Sequence, residues 1–146
     1  MEEIKKILIP TDGSEYTKLA VKKGLSLAKL LNAEVTALYV INEAAFTAIP
    51  PDSLITDIYS LLKTEGENVL QYVVDEGAEM GVKVEKMITE GETAESIIEV
   101  GEHFDLIVVG TLGRTGLSRL MIGSVAENVV RHATCPVMVV RAKDKI

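Results

Sequence analysis

Five short runs of apolar, largely β-branched residues alternate along the chain with longer segments whose apolar residues recur at helical spacing. Strands that are joined by helices form a parallel sheet with right-handed crossovers. The alternation therefore predicts an α/β fold with a five-stranded parallel sheet. Ligands of such sheets bind at the carboxyl ends of the strands, where the strand order reverses.

Each predicted strand is a short apolar run, and each predicted helix carries a stripe of apolar residues. The strands are predicted at residues 6–10, 34–41, 82–88, 105–109 and 136–140. The helices are predicted at residues 15–31, 57–80 and 124–133, with a further helix that Thr93 caps. In helix 57–80 the residues predicted to face inward are Ile58, Leu61, Leu62, Val69, Tyr72 and Val73. Residues 42–56 contain Pro50-Pro51, which predicts a long loop.

Length and composition predict a single domain over residues 1–146, since 47% of the residues are hydrophobic. No apolar run approaches the roughly 20 residues of a membrane span, so we expect no membrane partner. Cys135 is the one cysteine, which excludes an intrachain disulfide and favours a cytoplasmic protein. The two histidines and Cys135 show no metal-ligand spacing, so any metal site is left unknown.

The net charge of −7 argues against nucleic acid as the main partner. The charge is unevenly spread: residues 1–110 hold 9 basic and 20 acidic residues, whereas residues 111–146 hold 6 and 2. We interpret Arg114 and Arg119 as residues that face an anion. The basic residues from Arg141 onwards fit a solvated tail equally well.

A glycine-bearing loop follows the fourth predicted strand, with Gly110 and Gly113 at its start and Gly123 before the last helix. Such a loop between a strand end and a helix N-terminus is where α/β proteins bind phosphate, which indicates a nucleotide ligand. A purely structural interpretation stays open, because the glycines can be turns and Ser124 and Glu127 can form a capping box. Neither a Walker loop nor a Gly-x-Gly-x-x-Gly fingerprint occurs.

The first predicted strand ends in Pro10-Thr11-Asp12-Gly13-Ser14. Asp12 or Ser14 could cap the following helix. Alternatively, Asp12 lies beside the glycine loop and accepts hydrogen bonds from a ribose. The sequence leaves both interpretations open.

These segments together resemble the universal stress protein family. The spacing Gly110-x2-Gly113-x9-Gly123-Ser124 is similar to the nucleotide signature Gly-x2-Gly-x9-Gly-Ser/Thr of that family's ATP-binding branch. The segment Pro10-Thr-Asp-Gly-Ser14 resembles the exit of the family's first strand, and Ala133-Thr-Cys-Pro-Val-Met-Val-Val140 resembles its final strand. The resemblance spans the whole chain.

The resemblance implies an adenine-nucleotide alpha hydrolase-like fold, with strand order 3-2-1-4-5, helices on both faces of the sheet and usually a dimer. It implies binding of ATP, or of AMP or ADP. The implied contacts are Pro10, Thr11 and Asp12 to the nucleoside, the Val40 backbone to adenine, and Gly110, Gly113, Gly123, Ser124 and Val125 to the phosphates. Ala126 stands where ATP binders often carry Thr or Ser, so one phosphate contact is expected to be lost.

We therefore expect an ATP-binding stress-response regulator that acts as a nucleotide-dependent dimeric sensor. Mg²⁺ is expected with the nucleotide, because two arginines and a helix end cannot offset a triphosphate. The alternatives are a slow ATPase and a dimeric module that does not depend on nucleotide. No catalytic residue is predicted, since the motif holds no candidate general base. The apolar run at a sheet edge predicts a homodimer through residues Pro136 to Arg141, and any other protein partner is left unknown.

Overall fold

The computed structural model describes residues 3–44, 55–111 and 122–141. The strands are β1 (Lys6–Pro10), β2 (Glu34–Asn42), β3 (Val84–Gly91), β4 (Leu106–Gly110) and β5 (Val137–Val140). The helices are α1 (Glu15–Leu31), α2 (Ile55–Met80), α3 (Thr93–Gly101) and α4 (Ser124–His132). All strand pairs are parallel, and the sheet order is β3-β2-β1-β4-β5. The predicted fold class and strand order are confirmed.

Two hydrophobic clusters sandwich the sheet, because successive residues of a strand point to opposite faces. Ile7 of β1 is fully buried in a cluster with Leu25 of α1 and Leu70 of α2. Leu8, the next residue, is fully buried in the other cluster with Ile97 of α3 and with residues of α4. Helices α1 and α2 therefore cover one face of the sheet, and α3 and α4 cover the other.

The central strand β1 stops earlier at the carboxyl edge than the strand on either side of it. Its last pair with β2 is Pro10 with Leu38, whereas β2 continues to Asn42. Its last pair with β4 is Leu8 with Ile107, whereas β4 continues to Gly110. A gap therefore opens above the end of β1, between the ends of β2 and β4.

The third strand was predicted over residues 82–88, but β3 begins at Val84. Val82 instead completes the end of α2, where its N–H donates to the carbonyl of Gly77 at 2.8 Å and Gly81 takes a φ of 76°. Val82 is buried there. A buried apolar residue is expected both at such a helix end and at the start of a strand, so the sequence pattern did not distinguish the two.

The prediction for Leu61 was also wrong, because this α2 residue is 68% exposed. The predicted loop over residues 42–56 lies mostly outside the described residues, and β2 extends to its first residue. Within the described ranges, no helix combines the length and the apolar character that crossing a membrane requires.

Candidate functional site

A cleft of about 440 Å³ opens at the carboxyl edge of the sheet, above the end of β1. The predicted site residues in its wall are Pro10, Thr11, Asp12, Val40, Gly110, Gly123, Ser124 and Val125. Gly113, Arg114 and Arg119 lie outside the described residues. Residues separated by more than one hundred positions in the sequence therefore meet in one cleft. The wall consists of the ends of three strands, the starts of α1, α3 and α4, and one side of α2.

The backbone of Val40 faces this cleft. The N–H of Glu34 donates to the carbonyl of Lys5, and the carbonyl of Leu38 accepts from the N–H of Thr11 at 2.9 Å. Every second residue of a strand directs its N–H and C=O groups toward the same neighbouring strand. The backbone groups of the even-numbered residues of β2 therefore point toward β1. Val40 is the next even residue, beyond the last pair with β1. Its donor and its acceptor therefore point into the gap.

The turn after β1 is held by hydroxyl and carboxylate groups. Asp12 Oδ1 accepts from the N–H of Ser14 at 2.9 Å and from Thr17 Oγ1 at 3.1 Å. Ser14 is the N-cap of α1, and its Oγ accepts from the N–H of Thr17. Gly13 takes a φ of 83°, and a β-carbon there would lie 2.7 Å from Val69 Cγ2, so the turn requires glycine. The capping interpretation is confirmed for Ser14, while a ribose contact by Asp12 stays a prediction.

Three helices begin at this edge with described N-termini, and two of them are capped by side chains. Ser14 caps α1, and Glu92 caps α3 through bonds from the N–H groups of Ala94 and Glu95 at 3.2 and 2.7 Å. The N-cap of α4 is Gly123, which offers no side chain. Among the described residues no side chain caps α4, so its first N–H groups and its positive dipole end can face an external anion.

The predicted cap Thr93 is therefore wrong, and so is the alternative interpretation of Ser124 and Glu127 as a capping box. Thr93 is the first residue of α3 rather than its cap, because the longer Glu92 side chain reaches back to the helix N–H groups. Ser124 is likewise the first residue of α4, so Ser124 and Glu127 form no capping box. Glu127 instead pairs with Arg131 one turn later, at 2.9 Å. The hydroxyl of Ser124 therefore has no part in capping α4.

Thr111 joins the start of α4 to the end of the sheet. Its carbonyl accepts from the N–H of Gly123 at 2.7 Å, and its own N–H donates to the carbonyl of Val140 at 3.0 Å. Thr111 is buried, and a β-carbon on Gly123 would lie 2.9 Å from its carbonyl oxygen. The absence of a side chain at Gly123 is therefore what permits this close approach.

The described wall of the cleft carries two carboxylates, those of Asp12 and Glu65, and no lysine or arginine. Glu65 lies on α2, where its Oε2 accepts from the hydroxyl of Tyr39 at 3.3 Å. A bound phosphate chain must therefore be balanced by the start of α4, by a cation or by residues outside the described ranges. Among the residues outside the described ranges, Arg114 is predicted to face the anion.

Sequence reasoning missed the other residues of the wall, which include Thr17, Asn42, Leu62, Glu65, Thr93, Ile97 and Thr111. Two of them were detectable in principle, because Asn42 ends a strand and Thr93 begins a helix at the edge where ligands bind. Glu65 and Leu62 lie inside a long helix, and no local pattern distinguishes them from its other residues.

The fold and the cleft define the class of this protein. It is an all-parallel, doubly wound α/β protein with a cleft at the carboxyl edge, where strand order reverses between β1 and β4. The chain belongs to the universal stress protein family, whose model matches residues 3–141. The resemblance found in the sequence is thus confirmed.

Relatives match along nearly the whole chain. The universal stress protein MJ0531 of Methanocaldococcus jannaschii is 44% identical over 97% of this chain and 84% of its own length. The solved structure of MJ0577 from the same organism has a TM-score of 0.87 at 32% identity, covering 99% of this chain and 100% of that one.

A more distant structure was solved with a nucleotide. It is the universal stress protein from Archaeoglobus fulgidus in complex with dAMP, with a TM-score of 0.68 over 97% of this chain and 100% of that one. At 18% identity, this likeness shows the shared fold alone.

Proposed function

We propose that this protein binds an adenine nucleotide, together with Mg²⁺, in the cleft at the carboxyl edge, and that it acts as a nucleotide-dependent homodimeric sensor in a stress response. The observation that carries the proposal is the N-terminus of α4. No described side chain caps it, and it opens into a cleft whose wall includes Gly110, Gly123 and Ser124 of the glycine signature. The dAMP complex of the Archaeoglobus fulgidus protein supports the idea that this fold accommodates an adenine nucleotide.

The backbone of Val40 suits adenine at the other end of the cleft. Adenine carries an acceptor at N1 and a donor at N6, which complement the N–H and C=O of Val40. Guanine carries the reverse pattern, a donor at N1 and an acceptor at O6, and would leave both backbone groups unpaired. Val40, Leu62 and Val125, which line the cleft and are not fully buried, contribute apolar surface for the rings. We expect Asp12, which follows β1 and lines the cleft, to accept from a ribose hydroxyl.

Mg²⁺ fits the donor set of the cleft. No group of three or more His, Cys, Asp or Glu side chains that could hold a metal ion occurs in residues 3–44, 55–111 or 122–141. Mg²⁺ does not need such a cage, since it commonly keeps several waters and binds phosphate oxygens with one or two protein groups. Ser124 is the candidate protein group, and the ion would offset phosphate charge that the described wall leaves unbalanced.

A homodimer through residues Pro136 to Arg141 is supported by the contrast between the two sheet edges. Strand β3 carries Glu85, Lys86 and Glu90, and charged residues protect an edge from pairing with another chain. Strand β5, at the opposite edge, consists of Val137–Val140 and carries no charge. A two-fold axis would set β5 antiparallel to its own copy in one self-complementary interface.

Isothermal titration calorimetry with ATP, ADP, AMP and GTP, each with and without Mg²⁺, tests the nucleotide proposal. We expect one adenine nucleotide per chain, tighter binding with Mg²⁺, and much weaker binding of GTP. Light scattering with and without the nucleotide then tests the sensor, which requires the oligomeric state or its stability to change. Absence of heat at millimolar ATP would contradict the proposal.

The same samples distinguish the two alternatives. Phosphate release near 1 s⁻¹, at the lower end of ordinary enzyme rates, would identify an ATPase. A dimer whose dissociation constant is the same with and without saturating ATP would identify a module that does not depend on nucleotide. We expect turnover far below that rate, because both carboxylates of the described wall already accept hydrogen bonds: Asp12 from Ser14 and Thr17, and Glu65 from Tyr39.

A further inference from the structure

We propose that Asn42 is a specificity-determining residue of the cleft, and that it donates a hydrogen bond to N7 of the bound purine. The inference rests on the proposed function, since it requires the base to lie against Val40. Asn42 is the last residue of β2, two positions beyond Val40, and both residues line the cleft.

The side chain of Asn42 is oriented by two neighbours. Its Oδ1 accepts from the N–H of Ala44 at 2.9 Å, which places the oxygen on the side of that turn. Its Nδ2 consequently faces α3 and donates to Thr93 Oγ1 at 3.1 Å. The carboxamide is therefore held before a ligand arrives, so little side-chain entropy remains to be lost on binding.

The Asn42–Thr93 pair offers donors to the cleft. An amide nitrogen carries two protons, and the bond to Thr93 uses one of them. Thr93 Oγ1 accepts that bond and keeps its own proton. Asn42 is exposed and Thr93 is half-buried, and among the described residues neither the second N–H of Asn42 nor the hydroxyl proton of Thr93 has a protein acceptor, so both are open to solvent or to a ligand. Two donors at this end of the cleft match an unprotonated ring nitrogen of the ligand.

The direction of β2 identifies that nitrogen. Along the strand, the N–H of Val40 comes first, its C=O follows, and Asn42 lies beyond. With N1 at the N–H of Val40 and N6 at its C=O, the purine edge continues from N6 to N7. N7 is an acceptor, and it lies on the side of Asn42. The other free ring acceptor of the base, N3, lies on the far side of N1.

The test compares ATP with 7-deaza-ATP, in which a C–H group replaces N7. The wild type should bind 7-deaza-ATP about two- to tenfold more weakly, the net effect of one hydrogen bond. Asn42→Asp keeps the acceptor for Ala44 and the side-chain shape, but it replaces the donor by an oxygen. The added charge lowers affinity for both nucleotides, so the ratio of the two affinities is the readout. That ratio should fall to one or invert.

Asn68→Asp is the matched control, because Asn68 is exposed on α2 and does not line the cleft. It introduces the same charge and should keep the wild-type ratio. Thr93→Val is a second variant; it removes the hydroxyl but leaves the amide of Asn42, so it should keep part of the ratio. Circular dichroism and melting curves show which variants are folded.

The outcomes separate this inference from the proposed function. If the wild type binds no ATP, the proposed function fails and the inference fails with it. If the wild type binds ATP and 7-deaza-ATP equally, or if folded Asn42→Asp keeps the wild-type ratio, the role of Asn42 is overturned while nucleotide binding stands.

Discussion

The carbonyl oxygen of Thr111 accepts a 2.7 Å hydrogen bond from the N–H of Gly123, so the end of β4 and the start of α4 are joined directly. The backbone of Gly123 has a φ of −63° and a ψ of 156°, which any residue can adopt. Glycine is required there by space rather than by conformation, since a β-carbon would lie 2.9 Å from the Thr111 oxygen. A side chain at Gly123 therefore requires the backbone of this junction to shift.

Gly123→Ala should weaken nucleotide binding at least tenfold, because the added methyl group forces the start of α4 away from Thr111 and misplaces its N–H groups. Overpacking of this kind costs about 1–3 kcal/mol of stability. Gly101→Ala is the matched control; its β-carbon would lie 2.5 Å from Ile107 Cδ1, in the core and away from the cleft. Calorimetry and urea unfolding should show that both variants lose stability but only Gly123→Ala loses affinity. Equal affinities would show that this junction does not form the site.

Ser124→Ala should leave stability within about 0.5 kcal/mol of the wild type, because Ser124 does not cap α4 and is exposed. It should lower affinity for ATP about tenfold through loss of one hydrogen bond to a charged phosphate. Ser14→Ala should show the contrasting result for stability, since Ser14 caps α1 and its loss costs about 1 kcal/mol. A drop in stability for Ser124→Ala without a change in affinity would restore the capping interpretation.

Val139→Lys should convert a dimer into a monomer, because a charge in a paired edge strand cannot reach water without separating the two chains. Glu90→Lys, on the opposite edge strand β3, should leave the dimer intact. Light scattering gives the mass of each variant, and a melting curve shows that each is folded. A wild-type protein that is monomeric at high micromolar concentration would remove the dimer proposal.

Asp105 should contribute to stability at neutral pH. Its Oδ2 accepts from the backbone N–H groups of Lys5 and Lys6, both at 2.9 Å, and these bonds lower the pKa of the carboxyl below its ordinary value of 3.8. A lowered folded pKa gives stability that is present above the unfolded pKa and is lost as the pH falls through the folded pKa. Asp105→Asn should therefore be less stable than the wild type at pH 7, and urea unfolding should show the gap closing as the pH falls below 3.8. A difference in stability between the two proteins that is constant with pH would exclude the Asp105 carboxylate as its cause.

The strands and helices were largely predictable, because their apolar periodicity is a local property of the chain. The bounds of α1 and β1 agree with the prediction, and Asn32 ends α1 in the left-handed conformation with a φ of 56°. Errors arose where two local interpretations compete. An apolar residue such as Val82 can complete a helix end or begin a strand, and a Glu92 carboxylate can displace Thr93 as a cap.

The cleft was predictable only where a motif marks it. Gly123 and Ser124 belong to a spaced signature, and Asp12 follows a strand in a recognisable turn. Glu65, Asn42 and the hydrogen bonds of Thr111 depend on how distant segments come together, which no window of the sequence contains. The single-domain boundaries, the cytoplasmic location, and the roles of Gly113 and Arg114 stay predictions.

The most direct measurement of the central claim is a nuclear magnetic resonance titration of the ¹⁵N-labelled protein with Mg-ATP, because it reports on the N–H of Val40 itself. The account predicts that the amides of Val40, Gly123 and Ser124 shift together and saturate at one nucleotide per chain. The amides of Glu85 and Val100, which line a separate groove between β3 and α3, should not move. Unshifted Val40 and Gly123 amides at millimolar Mg-ATP, or shifts confined to that groove, would contradict the account.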